Sequence, residues 1–266
     1  MRVAVLQLPS IGMSSTKLYN YVRIAQKKKV KLLLLGEGIL APFFKELETM
    51  PIAMIREQSD HHAKVLRELA ATYGMTIVAS MIVVKKSKPY KCVVKFAPSS
   101  TSYYYQQLLL NYSHWNEERF FANEVAPLRA PMTFNIDGFK FAMMGGFELH
   151  FDPMFEAISQ KNVDVILVPS VATFESGERW QELIKMRAFT HNCYILRANR
   201  IGEYKSEDGS WNFYGDSILG NPFGEVEAHL GNSEELMICD LNKRVLREAR
   251  RSWGFKDAII RRKEGV

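Results

Sequence analysis

The most constraining feature of this sequence is one stretch, residues 139–170, which reads FKFAMMGGFELHFDPMFEAISQKNVDVILVPS. It contains two short apolar runs, residues 139–144 and residues 163–168, and between them residues 153–161 have the length and the ending of one helix. An apolar strand, a helix and a second apolar strand predict a parallel β-sheet that is covered on at least one face. We therefore expect an α/β protein.

The bend that follows the first of these strands is formed by Gly145 and Gly146. A residue on a sharp strand-to-helix turn is lifted out of the sheet and lies near a helix N-terminus, where backbone N–H groups can stabilise an oxyanion. Many catalytic nucleophiles occupy such a position. Because neither glycine carries a side chain, the sequence predicts the place of a nucleophile without the nucleophile.

Length and composition are those of one globular domain. The chain has 266 residues, of which 47% are hydrophobic and 24% are charged, and it contains no Pro/Ser-rich linker, low-complexity run or fixed-period repeat. We expect a single domain over residues 1–266. The longest apolar runs are far too short to span a membrane, so no membrane partner is expected, and residues 1–10 are typical of a first strand rather than of a signal peptide.

Charge and cysteine content bear on the partners and on the cellular compartment. The formal net charge of +6 comes from short basic runs at predicted helix ends and in the tail, which indicates solvated basic faces. No nucleic-acid-binding motif is present, and we expect no nucleic-acid partner. The three cysteines, Cys92, Cys193 and Cys239, are an odd number at wide spacing. They predict buried thiols in a reducing, cytoplasmic compartment rather than disulfides.

Glu37 is the first candidate site residue. It follows an apolar strand predicted over residues 31–35, within the sequence Gly36-Glu37-Gly38. The carboxyl end of a buried parallel strand is where α/β folds place their sites. The alternative is an exposed loop glutamate, but the four leucines that precede it predict a strand whose end faces a crevice.

A second candidate lies in the sequence WNEERFF, where Trp115, Phe120 and Phe121 are interleaved with Glu117 and Glu118. One interpretation is a loop that aromatic side chains anchor in the core. The other is the wall of a pocket with one carboxylate turned inward. The residues themselves leave these two interpretations open.

The rest of the chain predicts strands and helices of a layered α/β sandwich. The polar tail, residues 255–266, is expected not to fold alone and to reach onto a neighbouring subunit. The other expected elements are helices over residues 56–73, 178–190 and 245–253, strands over 75–86, 90–96 and 102–110, a hairpin at Asp137-Gly138, and three short strands within 211–240.

A resemblance covers nearly the whole chain. It is carried, in order, by RVAVLQL, LLLLGEGILAPFF, WNEERFF, FKFAMMGGFELHF, VDVILVPS, ERWQELIKMRAFTHNCYILRANRIG and YGDSILGNPFGEV. These segments resemble the nitrilase superfamily of carbon–nitrogen hydrolases. The resemblance implies a four-layer α-β-β-α sandwich. It also implies pairing into homodimers or larger homo-oligomers, with C-terminal arms, here about residues 254–266, often exchanged.

The chemistry that the resemblance implies uses a Cys, a Lys and a Glu, and no cofactor or metal. The Cys thiolate attacks an amide, nitrile or carbamoyl carbon, the Glu transfers protons as general base, and the Lys with a backbone N–H stabilises the oxyanion. The resemblance places the general base at Glu37 and a second, substrate-binding glutamate at Glu118.

The other two catalytic positions are changed. The Lys position falls at Gln107, or at Gln106 if the alignment shifts by one residue, and the Cys position falls at Gly146. Glycine cannot act as a nucleophile, and a neutral amide offers an oxyanion a hydrogen bond but no full charge. None of the three cysteines is expected to take over: Cys92 and Cys239 lie in predicted strands far along the chain from this bend, and the resemblance places Cys193 at a frequent structural position.

Two hypotheses about function follow. The first is a non-catalytic or impaired homologue that binds a small amide-like ligand in a pocket lined by Glu37, Trp115, Glu118, Phe147 and Glu148, or that serves as an oligomer partner. Two close carboxylates without the lysine repel each other, so the pKa of Glu37 or Glu118 is predicted to be raised. The second is an active amidase, nitrilase or N-carbamoyl amide hydrolase, for instance one in which Glu37 activates a water.

Overall fold

The computed structural model describes residues 1–206 and 209–264. In chain order, its strands are β1 (Arg2–Gln7), β2 (Leu32–Leu35), β3 (Thr76–Lys85), β4 (Lys88–Ala97), β5 (Ser100–Tyr105), β6 (Asn111–Tyr112), β7 (Trp115–Asn116), β8 (Met132–Ile136), β9 (Phe139–Met143), β10 (Val165–Pro169), β11 (Tyr194–Ala198), β12 (Ile201–Ser206), β13 (Gly209–Tyr214), β14 (Ile218–Gly220), β15 (Val226–His229) and β16 (Glu235–Asp240). Its helices are α1 (Thr16–Lys27), α2 (Phe44–Leu47), α3 (Ile52–Tyr73), α4 (Glu117–Phe120), α5 (Asp152–Ser159), α6 (Gly177–His191), α7 (Lys243–Trp253) and α8 (Phe255–Glu264).

Two six-stranded sheets form the centre of the fold. The first has the order β16-β1-β2-β3-β4-β5, and the second has the order β15-β14-β11-β10-β9-β8. In each sheet three central strands are parallel, β1 with β2 and β3 in the first and β9 with β10 and β11 in the second, and the outer strands are antiparallel. The predicted strand–helix–strand unit is therefore the parallel pair β9 and β10, joined through α5.

The hydrophobic clusters define four layers. β2 is buried on both faces: Leu33 and Leu35 pack on the side of α1 and α3, whereas Leu32 and Leu34 pack against the second sheet. A third cluster joins the outer face of the second sheet to α5 and α6. The molecule is an α-β-β-α sandwich, which confirms the predicted fold class.

Local sequence explains the connections that the pattern predicted. The turn between β8 and β9 is formed by Asp137 at φ 46° and Gly138 at φ 77°, the positive values that a two-residue hairpin of type I′ requires. Among the described residues, no helix combines the length and the apolar character that crossing a membrane requires.

Two local expectations are corrected. Residues 211–240 were expected to hold three strands, but β13 to β16 fall in this region, because β13 leaves the main sheets and pairs with β12 in a separate hairpin. The strand expected over residues 102–110 ends at Tyr105. The tail, which was expected not to fold alone, forms α8, and the ring of its Phe255 lies 5.1 Å from that of Phe189 on α6. The last two residues of the tail lie outside the described residues.

Candidate active site

A small cavity lies at the carboxyl end of β2, where the first sheet meets the loops of the second. Aromatic side chains form much of its wall, among them Phe43, Phe44, Trp115 and Phe121. Four charged side chains also line it: Glu37, Lys91, Glu117 and Arg200. An apolar wall with a few convergent charged groups is typical of a small-molecule site.

Glu37 stands at the position that the sequence predicted, two residues beyond the last residue of β2. Its backbone N–H donates to the carbonyl of Ser170 at 3.1 Å, which holds it against the end of β10. Its side chain is 13% exposed, and Oε1 lies 2.6 Å from the Nζ of Lys91. Glu37 is therefore oriented by backbone and ion-pair contacts and retains some access to the cavity.

Lys91 is a lysine in the interior of the molecule. It lies on β4, its side chain is 5% exposed, and its ammonium contacts Glu37 at 2.6 Å and Glu117 at 2.7 Å. Burial alone would lower the pKa of Lys91, but the carboxylates of Glu117 and Glu37 outweigh that effect and raise it. Lys91 is accordingly charged and bridges the two carboxylates.

Glu117 is the second carboxylate of the cavity. Its side chain is buried, and it accepts hydrogen bonds from the indole of Trp115 at 3.1 Å and from the ammonium of Lys91. The side chain of Asn116 caps α4 by accepting from the N–H of Arg119 at 2.9 Å. This cap fixes the rotation of the short helix so that its first residue points inward.

The neighbouring Glu118 does not enter the cavity. It is exposed, and its carboxylate accepts a hydrogen bond from the side-chain amide of Asn111 at 2.7 Å. The structure agrees with the second interpretation of this segment, a pocket wall with one carboxylate turned inward. The inward residue, however, is Glu117, one position before the residue that the resemblance indicated.

The carboxyl group of Glu37 titrates near neutrality. Burial raises its pKa to about 7; Lys91 acts against this rise and Glu117 reinforces it. The expected repulsion between two carboxylates is thus present, between Glu37 and Glu117 rather than Glu37 and Glu118. Burial, not this repulsion, is the largest cause.

Neighbouring side chains occupy the space beside the two glycines of the bend after β9. Gly146 has helical backbone angles, φ −52° and ψ −48°, and begins the 3₁₀ turn Phe147–His150. A Cβ at position 146 would lie 2.8 Å from the Cβ of Ser170, and a Cβ at position 145 would collide with the side-chain amide of Gln106. Ser170 thus contacts this bend through its side chain and accepts the backbone N–H of Glu37 through its carbonyl.

Glu148 is a structural carboxylate. It is fully buried and accepts hydrogen bonds from the N–H groups of Gln107 at 2.6 Å and Gly145 at 2.7 Å and from the hydroxyl of Tyr104 at 2.9 Å. Burial raises its pKa to about 7, although these donors act in the opposite direction. Neither Glu148 nor the half-buried Phe147 is among the residues that line the cavity.

The two glutamines at the predicted lysine position point in different directions. Gln106 is buried, lies against Gly145 and donates to the carbonyl of Leu108 at 2.8 Å. Gln107 turns toward the surface, where its amide contacts the hydroxyl of Tyr104 and the backbone of Arg129. Position 106, not 107, therefore faces the bend.

Three charged residues of the cavity were not identified from the sequence: Lys91, Glu117 as the inward carboxylate, and Arg200. The signal for Lys91 is its period-two relation to Val93, which packs between the two sheets. Arg200 follows β11 by two positions and is 4% exposed, with its guanidinium 4.3 Å from the ring centre of Phe213. No pattern in the sequence marked it.

Comparison with known proteins gives a matching family model and similar curated proteins. A family model described as carbon–nitrogen hydrolase matches residues 2–251. A deaminated glutathione amidase from Synechocystis sp. is 23% identical over 197 residues, which are 70% of this chain and 71% of the relative.

Solved structures share the fold. A carbon–nitrogen hydrolase from Helicobacter pylori G27 superposes with a TM-score of 0.83 at 18% identity, over 96% of this chain and 94% of the other. A mutant of the amidase from Nesterenkonia sp. AN1, which shows Michael addition of acrylamide at the active site cysteine, gives a TM-score of 0.76 at 18% identity, over 95% and 99%.

Proposed function

The chain belongs to the carbon–nitrogen hydrolase family, and from that premise we propose that it is a homologue without thiol-dependent hydrolysis that binds a small amide-like ligand in the cavity beside Glu37. One observation carries the proposal. The acid–base cluster of Glu37, Lys91 and Glu117 is assembled and buried, whereas Gly146 has no side chain and the space for one is taken by Ser170.

The absence of a nucleophile follows from the chemistry of the bend. Covalent amide hydrolysis needs a thiolate or alkoxide within reach of the carbonyl carbon. In the Nesterenkonia amidase the active site cysteine is the group to which acrylamide adds. In this chain Cys92, Cys193 and Cys239 are buried, and burial raises the pKa of each thiol to about 12. These thiols are therefore protonated at neutral pH and poor nucleophiles.

The cavity offers the hydrogen-bonding groups that an amide requires. The carboxylates of Glu37 and Glu117 accept hydrogen bonds, and Lys91 and Arg200 donate them. A primary amide presents N–H donors and a carbonyl acceptor on adjacent atoms, so both ends of the group find partners in one place. The aromatic wall around Phe43 and Trp115 would enclose the remainder of the ligand.

An active hydrolase is the second candidate, and one observation favours it. The pKa of Glu37 is raised to about 7, which suits a general base that activates a water at neutral pH. In this alternative, water attacks the amide carbon directly, and Lys91 stabilises the oxyanion. The substrate class would be amides, nitriles or N-carbamoyl compounds.

The experiment that tests the proposal measures binding and turnover on the same samples. Isothermal titration with a panel of small amides, nitriles and N-carbamoyl amines is run beside an assay for ammonia release. We expect binding of an amide without ammonia release, a loss of affinity of at least about tenfold in Glu37→Gln, and no change in Glu118→Gln, the exposed control. If the native chain releases ammonia and Glu37→Gln abolishes that release, the result supports the active hydrolase instead. If no compound of the panel binds, the proposal that the cavity binds an amide-like ligand is wrong.

The proposal extends to assembly and location. We propose that the protein is cytoplasmic, which its free buried cysteines support. We also propose that it forms a homodimer or a larger homo-oligomer. An exposed aromatic pair at the start of the arm, Trp253 and Phe255, with rings stacked 6.0 Å apart, offers apolar surface to a second copy. Light scattering after size exclusion is expected to give at least twice the monomer mass, and a monomeric mass would contradict this part.

A further inference from the structure

The side chain of Asn123 binds the backbone of Lys91 at two points. Its Oδ1 accepts from the N–H of Lys91 at 2.8 Å, and its Nδ2 donates to the carbonyl of the same residue at 2.8 Å. Nδ2 also donates to the carbonyl of Gln106 at 2.8 Å. Only one orientation of the carboxamide fits these partners, because the N–H requires an acceptor and the two carbonyls require donors.

Asn123 takes the place of a strand partner that is missing at Lys91. The strand β5 ends at Tyr105, whose partner on β4 is Cys92, so no residue of β5 lies opposite Lys91. The N–H of Gln106 still reaches the carbonyl of Lys91 at 3.0 Å, but the N–H of Lys91 turns to the oxygen of Asn123. A buried backbone N–H without a partner is unfavourable. The side chain therefore completes the edge of β4 at the residue that carries the ammonium of the site.

The same contact docks the segment that carries Glu117 on β4. Glu117 is the first residue of α4, and Asn123 lies three residues beyond the end of that helix. Between them, the N–H of Ala122 donates to the carbonyl of Pro89 at 2.8 Å, so the segment is bound to β4 at both Pro89 and Lys91. A helix of four residues has little stability of its own. We therefore expect these contacts to determine where Glu117 lies relative to Lys91.

Lys91 differs in this respect from the other charged residues of the cavity. At the other three, the backbone hydrogen-bonds to another backbone group: Glu37 to Ser170, Glu117 to Leu110, and Arg200 to Gly215. At Lys91, one side chain binds both the N–H and the carbonyl. A substitution of Asn123 can therefore release this point of the backbone without changing any charged residue of the site.

We propose that Asn123 is a positioning residue of this site, which holds β4 and the Glu117 segment together and so keeps the ammonium of Lys91 between Glu37 and Glu117. The ammonium contacts these carboxylates at 2.6 Å and 2.7 Å. Because the attraction between charges falls with distance and is strong in the interior, a small displacement of β4 weakens both contacts. The inference rests on the proposed function, since it explains how the acid–base cluster of that function is held.

The test follows the titration of Glu37, which faces the charged groups of Lys91, Glu117 and Arg200. Carbon NMR of protein with isotope-labelled glutamate reports the side-chain carboxyl group, and the signal of Glu37 is the one that is missing in Glu37→Gln. Lys91 lowers the pKa of Glu37, so Asn123→Ala is expected to raise that pKa by at least about half a pH unit.

Two comparisons separate positioning from a general loss of structure. Asn221→Ala removes an asparagine whose side chain accepts from two backbone N–H groups of a turn that does not line the cavity. This control is expected to lower stability and to leave the titration of Glu37 unchanged. In a Lys91→Met background, Asn123→Ala is expected to have no effect on the titration of Glu37, because Asn123 acts through the ammonium.

The outcomes decide as follows. A shift in the pKa of Glu37 that Lys91→Met removes supports the inference, whereas no shift, or one that persists in Lys91→Met, overturns it. The native protein offers a test that needs no variant. The side-chain amide protons of Asn123 are expected to exchange with solvent at least about tenfold more slowly than those of the exposed Asn232. Equal exchange rates would show that Asn123 does not hold β4 and would also overturn the inference.

None of these measurements uses a ligand, so they are independent of the test of the proposed function. If the amide panel fails to bind while Asn123 behaves as expected, the proposed function is wrong and the positioning of Lys91 stands. If an amide binds and the titration of Glu37 does not respond to Asn123→Ala, the proposed function stands and this inference is wrong.

Discussion

The backbone N–H of Gln106 donates to the carbonyl of Lys91 at 3.0 Å. The glutamine that faces the bend and the lysine that enters the cavity are therefore neighbours across adjacent chain segments. The resemblance to nitrilases places a lysine at Gln107 or Gln106. The structure has the cation one segment away, on β4, and its ammonium still reaches Glu37. The site therefore has a positive charge beside Glu37, and Lys91 supplies it.

Lys91→Met is expected to be strongly destabilising. The substitution keeps most of the volume but leaves Glu37 and Glu117 facing each other without a cation. Removing one partner of a buried ion pair costs about 3–5 kcal/mol of unfolding free energy. Urea denaturation at pH 8 measures the loss. Lys88→Met, at the exposed start of the same strand, is the control and is expected to change little. A loss in Lys91→Met no larger than in the control would contradict the bridging role.

Glu117→Gln and Glu118→Gln form a matched pair that tests which carboxylate is structural. Glu117 is buried and bound by Lys91 and Trp115, so its neutralisation is expected to cost roughly 2–4 kcal/mol. Glu118 is exposed, and an amide at this position can still accept the hydrogen bond from Asn111. Chemical denaturation of both variants decides the matter, and a larger effect at position 118 would mean that the register of this helix is different.

Gly146→Ala tests how closely Ser170 fills the bend. The helical backbone at position 146 accepts alanine, and the obstacles are the Cβ of Ser170 at 2.8 Å and its Cα at 3.1 Å. We expect a loss of about 1–3 kcal/mol from overpacking. Gly231→Ala, where a Cβ meets nothing within 4 Å, is the control. Because the Ser170 hydroxyl accepts a hydrogen bond from the buried Arg197, the double variant Gly146→Ala/Ser170→Gly is compared with Ser170→Gly alone. The alanine is expected to cost less in the Ser170→Gly background than in the native one, and an equal cost would show that another contact is responsible.

Stability is expected to depend on pH through Glu37. Its pKa is about 7 in the folded state and near the ordinary 4.5 in the unfolded state, so the folded state retains the proton between these values. The unfolded state binds fewer protons there, and the free energy of unfolding falls as the pH rises from about 4.5 to about 7. The change attributable to this group is on the order of 3 kcal/mol.

Thermal or urea denaturation of the native protein and of Glu37→Gln across this pH range isolates that contribution. The variant is expected to show a shallower decline, with the remaining slope including that of Glu148, whose pKa is also raised to about 7 by burial. Parallel pH profiles for the two proteins would show that Glu37 keeps an ordinary pKa.

The sequence allowed the layers of the fold to be predicted because burial on two faces leaves a distinct pattern. The four leucines of β2 pack alternately toward the helices and toward the second sheet, and a strand with two apolar faces must be central. The separate hairpin of β12 and β13 was missed in part because β12 is half-exposed and largely polar. Trp211 and Phe213 alternate as buried residues on β13, but that pattern does not reveal that the strand pairs with β12. The tail forms α8 in contact with α6, and the tail's own residues do not reveal that contact.

The site could be predicted only where position in a strand fixes direction. Glu37 follows a central strand, and its place at the sheet edge needs no further information. The choice between Glu117 and Glu118 depends on a cap by Asn116 that sets the rotation of a four-residue helix, and no periodicity reports that. Lys91 resembles any lysine in a mixed strand until the opposite sheet is in place and encloses it.

The pairing of β1 with β16 joins the beginning of the described chain to a strand near its end: Arg2 is opposite Asp240, and the two side chains form an ion pair at 2.9 Å. During synthesis on the ribosome, β1 emerges more than two hundred residues before its antiparallel partner. Until then one edge of β1 offers unpaired N–H and C=O groups to other chains. The first sheet can be completed only when nearly all of the chain has emerged, so the unpaired edge of β1 is exposed for longer than in a protein whose neighbouring strands are consecutive.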